Sequence, residues 1–252
     1  MLRLRFRSCL LLLLLVLAVS GQGLAASALT AEEILKKVDN NQFLQGVRIR
    51  SSLTIVSGGR EVKKTFVSLI DGDRSFTEFT NARDKGTKYL KLGDELWMFF
   101  PDAEDVVKIS GHLLRQGMMG SDFSYEDALE SRKLTALYDA KLLGEEQLDG
   151  RATYVLELTV KPGREASYAR RKQWITKAEF VPIKEELYAQ SGKLLKVATA
   201  SNLKQVDGRW FAFAGTMQNM LKKGSKTLLT IEELELGVTI PPQTFSREAL
   251  RR

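Results

Sequence analysis

Cysteine is almost absent: the single Cys9 lies among the first ten residues. One thiol cannot form an intrachain disulfide or a cysteine metal cage, so disulfide scaffolds and zinc-knuckle classes are excluded. Histidine is as scarce, with His112 alone, and no H-E-x-x-H, G-x-S-x-G or phosphate-cradling glycine loop occurs. A lone loop histidine reads as a surface or packing residue. Carboxylates are then the remaining candidates for catalysis, but Glu104, Asp105, Glu145, Glu146, Glu232 and Glu233 read as solvated strand and turn charge. The expectation is a protein that is not an enzyme, with no cofactor or metal. A long apolar run is also lacking, since the one stretch from Cys9 to Val19 is too short to span a bilayer.

That stretch follows Arg3, Arg5 and Arg7 and leads into small residues ending at Ala26 and Ala28, a secretory leader over residues 1–28 cut near 25–28. Cys9 starts the apolar run instead of following it, which weighs against a lipid-anchored form. Cleavage removes the only thiol, so the expected product is soluble, exported and indifferent to redox state. Of 38 basic and 31 acidic residues, the leader carries three arginines, leaving 35 against 31. So small an excess, interspersed with Asp and Glu, reads as a mixed solvated surface and excludes nucleic-acid binding. The roughly 225 remaining residues are enough for one core, and a single domain over 29–252 is expected.

Thr30 and Glu33 form a capping-box pattern before Ile34, Leu35 and Val38, so a short amphipathic helix opens the domain. Short runs of Val, Ile, Thr, Phe and Tyr follow, separated by Ser57-Gly58-Gly59, Asp71-Gly72-Asp73, Gly93-Asp94, Asp149-Gly150, Ser191-Gly192, Asp207-Gly208 and Lys223-Gly224. This rhythm predicts antiparallel hairpins with strands at 47–56, 62–70, 74–80, 87–92, 95–100, 104–109, 152–161, 168–176, 181–190, 193–203, 209–221 and 226–236. Residues 110–146 break the rhythm and read as short helices among loops, Ser124 with Asp127 giving a second cap spacing. In the strand at 95–100, Leu96, Met98 and Phe100 point one way while Trp97 and Phe99 point the other, so both faces must be covered.

The runs 82–90 (ARDKGTKYL), 93–101 (GDELWMFFP), Ile109-Ser110-Gly111 and 119–127 (MGSDFSYED) resemble the outer-membrane lipoprotein-sorting, LolA-like family. Weaker agreement continues through Gly144-Glu145-Glu146, 154–158, Trp174-Ile175, 191–194 and 237–242. The resemblance implies a mainly β fold with a few α-helices: an incomplete antiparallel β-barrel, or half-barrel, with a helical lid over an apolar cavity. It further implies a periplasmic carrier that holds acyl chains of lipoproteins or lipids for outer-membrane sorting and receives them from an inner-membrane transporter. A lipid-sensing periplasmic regulator or accessory subunit is the other reading. Burying acyl methylenes at roughly 0.8 kcal/mol each would drive such binding without catalysis.

Candidate cavity residues are Trp97, Met98, Phe99, Phe100, Met118, Met119, Phe123 and Tyr125. The sequence leaves open which pair of the 95–100 strand faces the cavity. The methionines suit an adaptable lid. Arg74 is the candidate for an arginine that latches the lid in the sorting carriers, although no proline follows it here, and Arg83 competes for that role.

Overall fold

The computed structural model describes residues 28–130 and 133–252. The leader expected over 1–28 thus falls, apart from its last residue, outside the described residues. Helix α1 (Ala31–Gln42) starts at Thr30, where both hydrogen bonds of the capping box form and satisfy two backbone donors that the first turn leaves open. The helix runs through Asn40 and Asn41 to Gln42, because packing of its buried Ile34, Leu35 and Val38 outweighs the weak helix preference of asparagine.

Thirteen strands then form one antiparallel sheet that does not close. The first six are β1 (Val47–Ser57), β2 (Arg60–Asp71), β3 (Arg74–Phe79), β4 (Lys88–Leu92), β5 (Glu95–Phe100) and β6 (Asp105–Ile109). After the insert come β7 (Tyr138–Leu148), β8 (Arg151–Val160), β9 (Arg170–Thr176), β10 (Pro182–Tyr188), β11 (Leu194–Val206), β12 (Arg209–Asn219) and β13 (Lys226–Glu235). The spatial order is β6-β5-β4-β3-β2-β1-β13-β12-β11-β10-β9-β8-β7, so each half is a meander and the β1–β13 pair joins them. β12 pairs with β13 only from Ala214 to Met217, and the two strands splay beyond that. Arg209, in the splayed part, donates to the backbone oxygens of Asn41 and Phe43 at the end of α1.

Twelve of the strands match the expected hairpins. The thirteenth, β7, begins inside the stretch 110–146 expected to be helix and loop and runs on to Leu148, so the helical insert ends at Leu137. As an edge strand with Gly144 at a register shift, β7 buries almost nothing and shows no alternation to read.

The inner face of the sheet carries α1, the short α2 (Tyr125–Leu129) and α3 (Leu134–Leu137). Ile34, Leu35, Val38, Leu134 and Leu137 pack there with Tyr138, Leu156, Leu158 and Ile175. On the outer face of β3–β6, two 3-10 turns (Pro242–Phe245 and Glu248–Arg251) lay Phe245 and Leu250 over Leu90, with Trp97 and Phe99 alongside. No helix among the described residues is long and apolar enough to cross a membrane.

Candidate functional site

Residues 111–129 form a lid over the inner face of β2–β5. Two 3-10 turns (Gly111–Arg115 and Met118–Gly120) precede α2, whose cap at Ser124 is a second complete capping box with Asp127. The turn is tight at Gly117, where an added Cβ would lie 2.2 Å from the Ser121 carbonyl oxygen, so only glycine fits. Met119, two residues on, holds φ 53°, a left-handed conformation rare for a side chain of its size.

Lid residues Leu113, Leu114, Met118, Met119, Tyr125 and Leu129 meet Phe79, Tyr89, Leu96, Met98 and Ile109 of the sheet. Aromatic contacts run through this layer from Phe66 to Phe79 (5.4 Å), Tyr89 (5.9 Å) and lid Tyr125 (6.0 Å). Burial pushes the Tyr89 hydroxyl far above its ordinary range.

Cavities remain between lid and sheet. One of about 210 Å³ lies among Phe66, Phe79, Tyr89, Leu96, Met118 and Ala128. A second of about 150 Å³ is bounded by Leu53, Phe66, Met118, Phe123, Ala128 and Leu229. A third of about 190 Å³ runs along β11–β13 from Phe123 to Ile231. Each is below the roughly 300 Å³ at which ligand pockets begin. Met118 and Phe123 stand between them, so the lid's own side chains divide the interior in this closed arrangement.

Polar groups hold the lid shut. Asp122 accepts from Ser225 Oγ (2.6 Å) and Thr227 Oγ1 (2.9 Å), and its backbone N–H donates to the same Thr227 oxygen. Asp127 accepts from the Tyr168 hydroxyl and the Lys196 ammonium, both at 2.5 Å. Glu130 pairs with buried Arg171, which also donates to Glu185 (3.1 Å) and to the Tyr138 hydroxyl (3.0 Å). Burial would lower the Arg171 pKa, but the Glu185 and Glu130 carboxylates outweigh it and hold the guanidinium charged. Burial pushes Tyr138 up to about 12 and Tyr168 well above its ordinary value, the latter reinforced by Asp127. Burial also raises Glu130 in spite of Arg171.

The sheet register decides the question that the sequence left open. Met98 faces inward, with Met118, Met119 and Tyr125 against it, and Phe123 lies further along among Tyr168, Leu187 and Met217. Trp97 and Phe99 point outward beneath the C-terminal turns, with Arg247 5.0 Å from the Trp97 ring, so they are corrected from cavity wall to outer core. Phe100 shares the parity of Met98 but sits at the strand end, 38% exposed. Neither candidate arginine is placed as a latch. Arg74 pairs with Asp71 (2.5 Å) and lies over Phe245 on the outer face, while Arg83 is exposed on the β3–β4 turn. The polar groups that tie this segment to the sheet are instead Asp122, Asp127, Glu130, Tyr168, Arg171, Lys196 and Thr227. Their one signal in the sequence is charge at inward positions, as in Arg171 two residues before Gln173 and four before Ile175 on β9.

An open sheet with a latched lid over divided apolar cavities is the architecture of a hydrophobic-ligand carrier. The model of a family of uncharacterized proteins matches residues 71–252. Three solved structures are similar over most of both chains. A DUF1329 family protein from Desulfovibrio piger has 27% identity and a TM-score of 0.79, covering 87% of this chain and 97% of that one. An outer-membrane lipoprotein-sorting protein domain from Vibrio parahaemolyticus has 26% identity and a TM-score of 0.77, covering 88% and 98%. A LolA superfamily protein from Nitrosomonas europaea has 26% identity and a TM-score of 0.74, covering 88% and 100%. No curated protein matches the chain. The chain belongs to the family that the model describes, and it is similar in fold to the LolA superfamily and outer-membrane lipoprotein-sorting structures.

Proposed function

We propose that the protein is a periplasmic carrier that holds the acyl chains of lipoproteins or lipids under its lid, for sorting or transport to the outer membrane. It is exported by the leader at 1–28, and the domain at 29–252 works as a soluble, non-enzymatic binder that takes cargo from an inner-membrane transporter. One observation carries this reading: apolar cavities remain between lid and sheet, where the lid's packing on the sheet is incomplete and polar contacts at Asp122 and Asp127 tie it down. Acyl chains entering must displace Met118 and Phe123, and each methylene buried returns roughly 0.8 kcal/mol towards that opening.

Transfer between membranes tests it. Donor vesicles carrying a fluorescent acylated peptide are mixed with acceptor vesicles and the purified protein. A carrier accelerates transfer, and Met98→Asp abolishes the acceleration while Thr230→Asp on the exposed outer face leaves it intact. Binding without delivery would turn the reading towards a lipid-sensing regulator. Absence of any acyl binding would sink both.

A further inference from the structure

A polar chamber of about 260 Å³ lies on the inner face beside the apolar cavities, bounded by α1, the lid and β9–β12. Phe123 and Asp127 line both this chamber and the 150 Å³ apolar cavity, so a chain in one compartment reaches the other past a single ring. Among the buried side-chain atoms of its wall, those without a partner are all acceptors. Asp39 is consumed by the Leu134 and Thr135 amides and the Thr135 hydroxyl. Asp127 is taken up by Tyr168, Lys196 and Ser124, and each Arg171 nitrogen has a partner, in Glu130, Glu185 or Tyr138. Two acceptors are left. One oxygen of Glu130 and the amide oxygen of Gln173 are buried without a partner, and both side chains line the chamber.

Gln173 is only 1% exposed, and its orientation is fixed. Its amide nitrogen donates to Glu185 Oε1 at 2.8 Å, and a flipped amide would set oxygen against carboxylate. No buried donor on the chamber wall lacks a partner among the described residues. Asp39, Asp127, Glu130 and Glu185 outnumber Lys133 and Arg171 along this wall. Orphaned buried acceptors cost stability until a donor reaches them, and an anionic group at these two oxygens would meet acceptors beside the Glu185 carboxylate.

We propose that this chamber seats the nitrogen head group of an acylated ligand, a primary ammonium or an amide that donates hydrogen bonds to the free oxygens of Gln173 and Glu130. The inference rests on the carrier reading for the acyl tail and adds a selectivity that the apolar cavities cannot supply. Such a head group has two sources, an ethanolamine phospholipid or the amide groups at the acylated terminus of a lipoprotein.

Displacement of an apolar fluorescent dye tests it. The competitors are lysophosphatidylethanolamine, lysophosphatidylcholine with the same chain, and S-palmitoyl-N-acetylcysteine amide with its N-methylated analogue. Choline carries the same charge as ethanolamine but has no N–H, so the comparison isolates donation. The expected result is that the N–H form binds about tenfold tighter than its methylated counterpart, equivalent to about 1.4 kcal/mol. Preference in the phospholipid pair, the peptide pair or both supports the seat and names the source. Gln173→Leu and Gln173→Met should each erase the preference while the dye still binds, and Gln173→Met keeps the side chain's length should Gln173→Leu fail to fold. Equal affinity for N–H and N-methyl forms with dye binding intact would overturn the seat and leave the carrier standing. Preference that survives in both variants would overturn the placement at these residues. Failure of every ligand and the dye to bind the unaltered protein would remove the carrier reading and the seat together.

Discussion

Asp122 and Thr227 hold each other twice across 105 residues of sequence: the Asp122 N–H donates to Thr227 Oγ1, and that hydroxyl donates to Asp122 Oδ2, both at 2.9 Å. Both are buried, at 2% and 0% exposure, so neither bond can be exchanged for water while the lid stays down. Thr227→Val keeps the shape and removes both bonds, leaving a buried amide and a carboxylate oxygen short of a partner. The expected cost is about 1–3 kcal/mol, visible as faster hydrogen exchange at the lid amides around 118–124. Unchanged exchange there would show that the pair does not restrain the lid.

Lys196 and Asp127 form the second restraint. Lys196→Met leaves the Asp127 carboxylate buried without its ammonium, and breaking such a pair from one side costs about 3–5 kcal/mol. Adding Asp127→Asn should recover much of that loss, since the stranded charge is removed, and a double-mutant cycle on chemical unfolding measures the recovery. If the opened lid admits cargo, the single variant also takes up an apolar dye faster. Strictly additive losses would mean that the two groups do not act as a pair.

Burial raises the Glu130 pKa above its ordinary 4.5, the pull of Arg171 notwithstanding. The folded protein therefore binds this proton more tightly than the unfolded chain does. Its contribution is fully present below about pH 4.5 and is lost as pH rises through the raised folded value. Burial, then Asp127, shifts Glu126 in the same direction. The difference between the unaltered protein and Glu130→Gln in urea midpoint, followed from pH 4 to pH 8, should fall with rising pH. A flat difference would contradict the assignment.

Phe245 and Leu250 cover Leu90, Trp97 and Phe99 on the outer face. Phe245→Ala should cost about 3–5 kcal/mol, as for a core phenylalanine, and shift tryptophan emission to the red as Trp97 meets water. Acyl binding on the opposite face should persist under conditions where the variant is folded. Lost binding in a folded variant would mean that the two faces are coupled.

Hairpin rhythm made the sheet legible, because turn glycines and alternating strands report locally on structure. The capping boxes at Thr30 and Ser124 were equally visible, each being complete within four residues. The edge strand β7 was not, since a strand that buries no face leaves no pattern. In β5 the alternation was plain but not its direction: Trp97 and Met98 are both apolar, and only the C-terminal turns, some 150 residues later, decide which face they cover. The latches were hidden for the same reason. Arg171, Lys196 and Thr227 acquire meaning only when the sheet brings them under a lid about 40 to 110 residues away, and sequence spacing carries no record of that approach.

The seam between β1 and β13 has a consequence for how the molecule comes into being. Arg48 and Glu235 meet there although 187 residues separate them. Until the thirteenth strand is made, the chain can form only two separate meanders, each with raw backbone edges and an unroofed greasy trough. Joining them closes a very long loop, which slows assembly and prolongs the interval in which those edges can pair with the wrong neighbour.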